Sequence, residues 1–121
     1  MRMIVAAAAL VGAASGASGA AAAGDYGVAL RRMVSEAAQG RCPADLMAEP
    51  LLSACRDQMA VMRPELAALG PVTDVSFIKA EVHDDARVET WAVNYAAGKT
   101  TIWSIGNRKD GKFTTAYTLG Q

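Results

Sequence analysis

Three short segments of the sequence carry residue types that can do chemistry. Ser76 and Lys79 have the S-x-x-K spacing of a serine nucleophile with its lysine, and Lys99-Thr100-Thr101 is close to the accompanying K-T-G motif. That chemistry needs the serine at the start of a helix, with serine and lysine one turn apart on the same face. The residues around Ser76 have the pattern of a strand, where positions three apart lie on opposite faces. We therefore interpret this match as coincidental.

The other two segments are also better explained by structure than by catalysis. Gly98-Lys99-Thr100 matches the last three residues of the phosphate-binding loop motif G-x-x-x-x-G-K-[ST]. The first glycine of that motif is Val93 here, and a strand follows where the motif needs a helix. His83 stands beside Asp84 and Asp85, and a histidine next to a carboxylate is the minimum for a general base. The cluster falls between two predicted strands, where aspartate favours turns for backbone reasons. We predict a solvated turn there and no catalytic residue.

Composition excludes several further classes of function. The chain has 121 residues, which is enough for one domain, with twelve basic and twelve acidic residues in balance. Nucleic-acid binding needs clustered Lys and Arg, and no basic run is present. One histidine and two cysteines supply too few ligands for most metal sites. We expect no nucleic acid, no metal and no cofactor.

The first 23 residues have the pattern of a secretory signal peptide. Arg2 is followed by an apolar stretch over residues 4–11 and then by small residues that suit a signal peptidase. Cleavage after Ala20 and cleavage after Ala23 both fit, and the second leaves a single domain over residues 24–121. The stretch holds too few large aliphatic side chains for a stable membrane span. We therefore predict export to the periplasm or the extracellular space.

Export gives the two cysteines a structural meaning. In an oxidising compartment an even number of cysteines favours a disulfide, here Cys42 with Cys55. A redox or nucleophilic thiol would need a C-x-x-C pair or a partner histidine. Neither is visible, so we predict a structural disulfide.

Helical spacing of apolar residues marks the first half of the domain. A first helix is predicted from Asp25, as N-cap, to Gly40. A second helix is predicted from Pro50 to Met62, followed by a short third helical turn that begins at Pro64.

After Pro71 the apolar spacing changes to every second residue, which is typical of strands. Four strands are predicted at residues 72–82, 87–95, 99–107 and 112–119, with a bulge near Phe77. The domain is thus predicted to be α+β, with N-terminal helices on one face of a four-stranded antiparallel meander. Three-residue turns ending in Gly98 and Gly111 would set the register of the last three strands.

This register predicts an aromatic row on the sheet face under the helices. Trp91 lies opposite Trp103, and Trp103 lies opposite Tyr117, with Tyr95 on the same face. These four side chains form either the core or the wall of a pocket for an apolar or aromatic ligand. The opposite face carries Thr90, Ala92, Ile102 and Ala116, among other small uncharged residues. It is either a solvated face or a surface for a homodimer or a cell-envelope partner.

The order of helices and strands resembles the cone-shaped α+β fold of the nuclear transport factor two-like superfamily. More narrowly, about half of the chain resembles a small domain that accompanies secreted bacterial serine hydrolases. The segments that carry this likeness are Leu69-Gly70-Pro71-Val72-Thr73-Asp74-Val75-Ser76-Phe77, Trp91-Ala92-Val93-Asn94-Tyr95, Thr101-Ile102-Trp103-Ser104-Ile105 and Asp110-Gly111-Lys112. In such hydrolases the catalytic residues sit in another domain, so the resemblance implies an accessory domain.

Two functions follow as expectations. The first is a non-catalytic accessory or protein-interaction domain of the cell envelope. The second is a binder of a small apolar or aromatic ligand between helices and sheet. A binder requires a cavity of at least about 300 Å³ behind Trp91 and Trp103, whereas an interaction domain would pack those rings solidly. An envelope enzyme is a more distant third reading.

Overall fold

The computed structural model describes residues 14–120 of the chain, with side chains from Tyr26 to Leu119. Two helices, α1 (Ala14–Ala37) and α2 (Leu51–Leu69), precede four strands. The strands are β1 (Val72–His83), β2 (Ala86–Tyr95), β3 (Thr100–Lys109) and β4 (Lys112–Gly120). They form one antiparallel sheet in the order β1-β2-β3-β4, and the helices pack against it. The predicted α+β fold is confirmed.

Helix α1 begins earlier than predicted. It starts at Ala14 and runs through Asp25, which is therefore not its N-cap. The residues before Asp25 are mostly alanine, the strongest helix former, so the helix continues through them. Its end agrees with the prediction, because Gly40 adopts a positive φ of 87° three residues after Ala37. The first 13 residues of the predicted signal peptide lie outside the described residues.

Helix α2 is one helix, where a helix and a separate turn were predicted. Pro64 lies inside it, although proline removes a backbone donor and disfavours the helix interior. The side chains of Leu51, Cys55 and Leu66 are all buried on the core side. Because this apolar stripe continues past Pro64, packing holds the helix together through the proline. No helix in the described part of the chain is long and apolar enough to cross a membrane.

A disulfide joins Cys42, in the loop after α1, to Cys55 on α2. The two Cα atoms are 6.1 Å apart and the cysteines are separated by 13 positions. The predicted pairing is confirmed. The bond ties α2 to the loop that connects it to α1, and so holds the helix beside the sheet.

Loss of this disulfide should be measurable as lost stability. We expect Cys55→Ala to lower the free energy of unfolding by about 2–5 kcal/mol, because the open chain gains conformational entropy on unfolding. Urea denaturation of the two proteins would measure the difference. Mass spectrometry of the protein with and without reductant is the control, and two thiols alkylated without reductant would contradict the pairing.

The turn between β2 and β3 follows the prediction. Gly98 has a φ of 86°, and the backbone N–H of Tyr95 donates to the carbonyl of Lys99. Trp91 accordingly lies opposite Trp103. The predicted bulge in the first strand is also present, between Phe77 and Lys79.

The turn between β3 and β4 is one residue shorter than predicted. Asp110 and Gly111 both have positive φ, 53° and 81°, which is the signature of a two-residue type I′ turn. Lys109 therefore pairs with Lys112, where the predicted loop paired Arg108 with Lys112.

A shift of one residue exchanges the two faces of a strand. Thr118, and not Tyr117, lies opposite Trp103. Tyr117 lies opposite Ser104 instead, so the predicted aromatic row is wrong at its last member.

The core lies between the two helices and the sheet, and most of its buried side chains come from α1 and the strands. Tyr26 of α1 and Phe113 of β4 meet edge to face with ring centroids 4.9 Å apart. The loop before α2 joins the same edge, because Phe113 exchanges backbone hydrogen bonds with Leu46 and Ala48. The largest fully buried side chains are Phe113, Leu30, Ile105, Glu89, Val34 and Val93.

Candidate ligand-binding cavity

A large cavity lies between α2 and the sheet, beside the core under α1. Its volume is about 1070 Å³, at the upper end of the range for small-molecule sites. Helices α1 and α2 line one side, and β3 and β4 line the other. Its principal apolar lining residues are Leu30, Met33, Val34, Met47, Leu51, Val61, Met62, Leu66, Leu69 and Trp103. We call this space the α2 cavity.

The charged groups of the α2 cavity are all acidic. Asp57 and Glu65 line it from α2, and both are exposed. Among the described residues that line it there is no Lys, Arg or His. The cavity therefore offers no counter-charge to an anionic group, and its walls suit an uncharged apolar molecule.

The polar atoms on the sheet side already have partners within the protein. Trp103 Nε1 donates to Thr101 Oγ1 at 2.9 Å, and the Tyr95 hydroxyl lies 2.8 Å from the same oxygen. Thr118 Oγ1 donates to the carbonyl of Ile102. Because these groups are satisfied, an apolar surface can cover them without stranding a buried donor.

The four predicted ligand-binding residues divide into two pairs. Trp103 and Tyr117 line the α2 cavity. Trp91 and Tyr95 are buried outside it. The Trp91 ring packs on Gly27 of α1 so closely that a Cβ at that glycine would collide with it. Trp91 is thus solid core, and Trp103 is cavity wall.

Tyr117 stands at the opening of the cavity. Its side chain is 49% exposed, and Val61, across the opening on α2, is 66% exposed.

Glu89 is a buried charged residue that the sequence interpretation missed. Its side chain is fully buried and lies 2.7 Å from Arg87 Nε, while its second carboxylate oxygen accepts a hydrogen bond from Trp91 Nε1 at 3.0 Å. Strand alternation predicts that its side chain faces the helices, because position 89 is two residues from Trp91. Nearby, Tyr26 lies under the Arg108 guanidinium, and burial raises the pKa of its hydroxyl.

The residues with possible catalytic spacing remain apart or exposed. His83 lies next to a two-residue turn in which Asp84 and Asp85 both have positive φ, and its side chain is mostly exposed. Ser76 and Lys79 lie in β1, as expected from the strand pattern, and both are exposed. No cluster of three or more metal-ligating side chains occurs among the described residues.

The predicted partner surface on the other sheet face needs one correction. Ala116 pairs with the fully buried Ile105 and packs against the core, so it belongs to the face under the helices. The same shift in register that moved Tyr117 outward moved Ala116 inward. Thr90, Ala92 and Ile102 keep the predicted outer face, with Thr90 Oγ1 lying 3.3 Å from Ser104 Oγ.

Comparison with known proteins does not assign this chain to a family. No protein-family model, no curated protein and no solved structure matches it.

Proposed function

We propose that the protein is an exported, non-catalytic accessory domain that binds an uncharged apolar ligand in the α2 cavity. The observation that carries the proposal is the cavity itself, about 1070 Å³ in volume, with Trp103 in its wall. An apolar space of this size, open to solvent on one side and lined by buried residues such as Leu30 and Leu51, has the dimensions and the lining of a small-molecule site.

The chemistry of the walls narrows the class of ligand. Leu, Met and Val side chains from both helices surround most of the volume. Asp57 and Glu65 would repel a carboxylate or phosphate at the α2 side of the opening. A neutral aromatic or aliphatic molecule fits these walls better than an anionic lipid.

Export is the second part of the proposal. The Cys42–Cys55 disulfide is of a kind that persists in oxidising compartments. It agrees with the secretory pattern of the first 23 residues. We also propose a relationship to nuclear transport factor two-like domains, from the order of helices followed by an antiparallel meander.

A second candidate function is docking onto another envelope protein or a second copy through the outer sheet face. The observation in its favour is the uncharged centre of that face, where Ala92 and Ile102 are half-buried and Thr90 and Ser104 are buried. Ala116 no longer belongs to that surface.

Ligand binding can be tested with an uncharged naphthalene dye, N-phenylnaphthylamine. We expect saturable binding to the wild-type protein, with fluorescence enhancement, and weaker binding of the sulfonated analogue anilinonaphthalene sulfonate. Ala54→Phe fills the cavity from α2, so it should weaken binding of the neutral dye by about tenfold or more. Fluorescence titration measures each affinity.

The matched control is Ala60→Phe, an exposed position of the same helix that does not line the cavity. It should bind the neutral dye like the wild type, and circular dichroism should show both variants folded. Absence of saturable binding, or equal binding by the Ala54 and Ala60 variants, would refute the cavity as the binding site.

A further inference from the structure

Strand β1 is one of the two edge strands of the sheet. It pairs with β2 on one side only, and no strand in the described part of the chain lies on its other side. Arg31 of α1 donates to the carbonyls of Val72 and Thr73, so the start of β1 is engaged. The opposite edge of the sheet is joined at Phe113 by the loop before α2. We call the second half of this strand, residues 77–83, the open edge.

This open edge is unusually apolar for a surface strand. Phe77, Ile78 and Val82 are 46%, 49% and 67% exposed, and they are three of the seven large hydrophobic side chains exposed in the described residues. Soluble proteins seldom leave a long apolar edge uncovered, because its free backbone groups can pair with another strand. Such an edge is a place where a further strand can add.

The charges on the strand indicate which strand that is. Lys79 and Glu81 are two positions apart, on either side of Ala80. In an antiparallel pair of identical strands centred on Ala80, each Lys79 lies opposite the partner's Glu81. The same register places Ile78 opposite Val82 of the second copy. We propose that β1 pairs with β1 of a second copy in this register, forming a homodimer with one continuous eight-stranded sheet.

The two kinds of pair fall on different faces of that sheet. Lys79 lies opposite Thr90, on the outer face, whereas Ala80 lies opposite Glu89, on the face under the helices. By alternation Glu81 shares the face of Lys79, and Val82 shares the face of Ala80. Lys79 and Glu81 lie 3.7 Å apart within one chain, and the dimer adds pairs between the copies on that side of the sheet and apolar contacts on the other.

Neighbouring registers lack this match. Centring the pair on Lys79 would place Phe77 opposite Glu81. Centring it on Glu81 would place Lys79 opposite His83, two side chains without opposite charge. Only the register centred on Ala80 joins opposite charges as well as apolar residues, and cross-strand pairs of these kinds stabilise a sheet.

The interface is small, so the dimer should be weak. It joins about seven residues of each strand, which is below the size class of stable complexes, at roughly 1,200 Å² or more of total buried area. We expect a reversible dimer whose population rises with protein concentration.

Charge exchange tests both the partner and the register. Sedimentation velocity over a range of concentrations should show monomer and dimer for the wild type. The dimer has two pairs between positions 79 and 81, and either single variant, Lys79→Glu or Glu81→Lys, puts like charges in both pairs. Each variant should therefore weaken dimerisation by about tenfold or more. The double variant restores opposite charges and should dimerise like the wild type.

The control is Lys109→Glu, an exposed lysine at the far end of β3, which should leave the dimer unchanged. Lys79 and Glu81 are themselves exposed, so the single variants should fold normally, as circular dichroism can verify. A monomer at every concentration, or a dimer that the double variant fails to restore, would overturn the proposal. So would a dimer lost in Ile102→Glu but insensitive to the charge exchange, because that result assigns the contact to the outer sheet face. Dye binding in the α2 cavity is measured separately and does not depend on dimerisation.

Discussion

Replacing Trp91 by Ala is expected to lower the free energy of unfolding by about 3–5 kcal/mol. The Trp91 side chain is only 7% exposed, and its ring packs on Gly27 and meets Phe77 edge to face. Truncation would open a void in the closely packed layer between α1 and the sheet. It would also remove the indole N–H that donates a hydrogen bond to Glu89 inside the core.

Trp103 provides the contrasting case on the neighbouring strand. Its ring is half-buried and faces the α2 cavity, so it has fewer packing contacts to lose than Trp91. We expect Trp103→Ala to be clearly less destabilising than Trp91→Ala, and to weaken binding of N-phenylnaphthylamine. Urea melts of both variants, with His83→Ala as a surface control, would compare the two positions. A loss for Trp103→Ala as large as that for Trp91→Ala would show that Trp103 is solid core, and would contradict its role in the cavity wall.

The placement of the two tryptophans shows how far turn chemistry determines register. Gly98 ends a three-residue loop, and this was sufficient to place Trp91 opposite Trp103. The next turn admitted two solutions, because Asp110-Gly111 also suits a two-residue type I′ turn. The structure adopts the shorter turn, and the face assigned to Tyr117 changes with it.

The helix boundaries show packing prevailing over local sequence preference. Pro64 is a local signal for a break, yet α2 continues through it to Leu69 because Leu66 extends the buried stripe. The Asp25 cap was likewise a local signal, and the alanine-rich residues before it continue the helix. The proline costs about 3 kcal/mol in a helix interior, so burial on α2 has to offset it, whereas a cap at Asp25 would contribute only about 1 kcal/mol.

The cavity could be predicted only as one of two alternatives. Periodicity shows which side chains face the sheet, but the distance between α2 and the sheet depends on contacts between distant residues. The Cys42–Cys55 bond and the bridge between Met47 and Phe113 set that distance. As a result, Trp91 packs in the core and Trp103 lines the cavity, although strand alternation places both side chains on the same face of the sheet.

The buried carboxylate of Glu89 leads to the second large expected effect. Arg87→Ala should lower the free energy of unfolding by about 3–5 kcal/mol, because removing one partner leaves the other charge buried without the cation that it contacts. Glu89 is fully buried and Arg87 is 28% exposed, so the arginine can reach solvent if the glutamate is removed, whereas the glutamate cannot reach solvent if the arginine is removed. We therefore expect Glu89→Gln, which keeps an acceptor for Trp91 Nε1, to be the milder of the two single changes.

A double-mutant cycle in urea separates this pair from the surrounding core. The buried carboxylate should be costly only when Arg87 is absent. The double variant Arg87→Ala/Glu89→Gln should then lose less unfolding free energy than the two single variants lose together. Arg56→Ala, which removes an exposed arginine from α2, is the control and should change stability by less than about 0.5 kcal/mol. Additive losses would show that Arg87 and Glu89 contribute independently. In that case Arg87 would stabilise the fold through other contacts, such as its position over the Tyr26 ring. The buried carboxylate would then be stabilised by the hydrogen bond from Trp91.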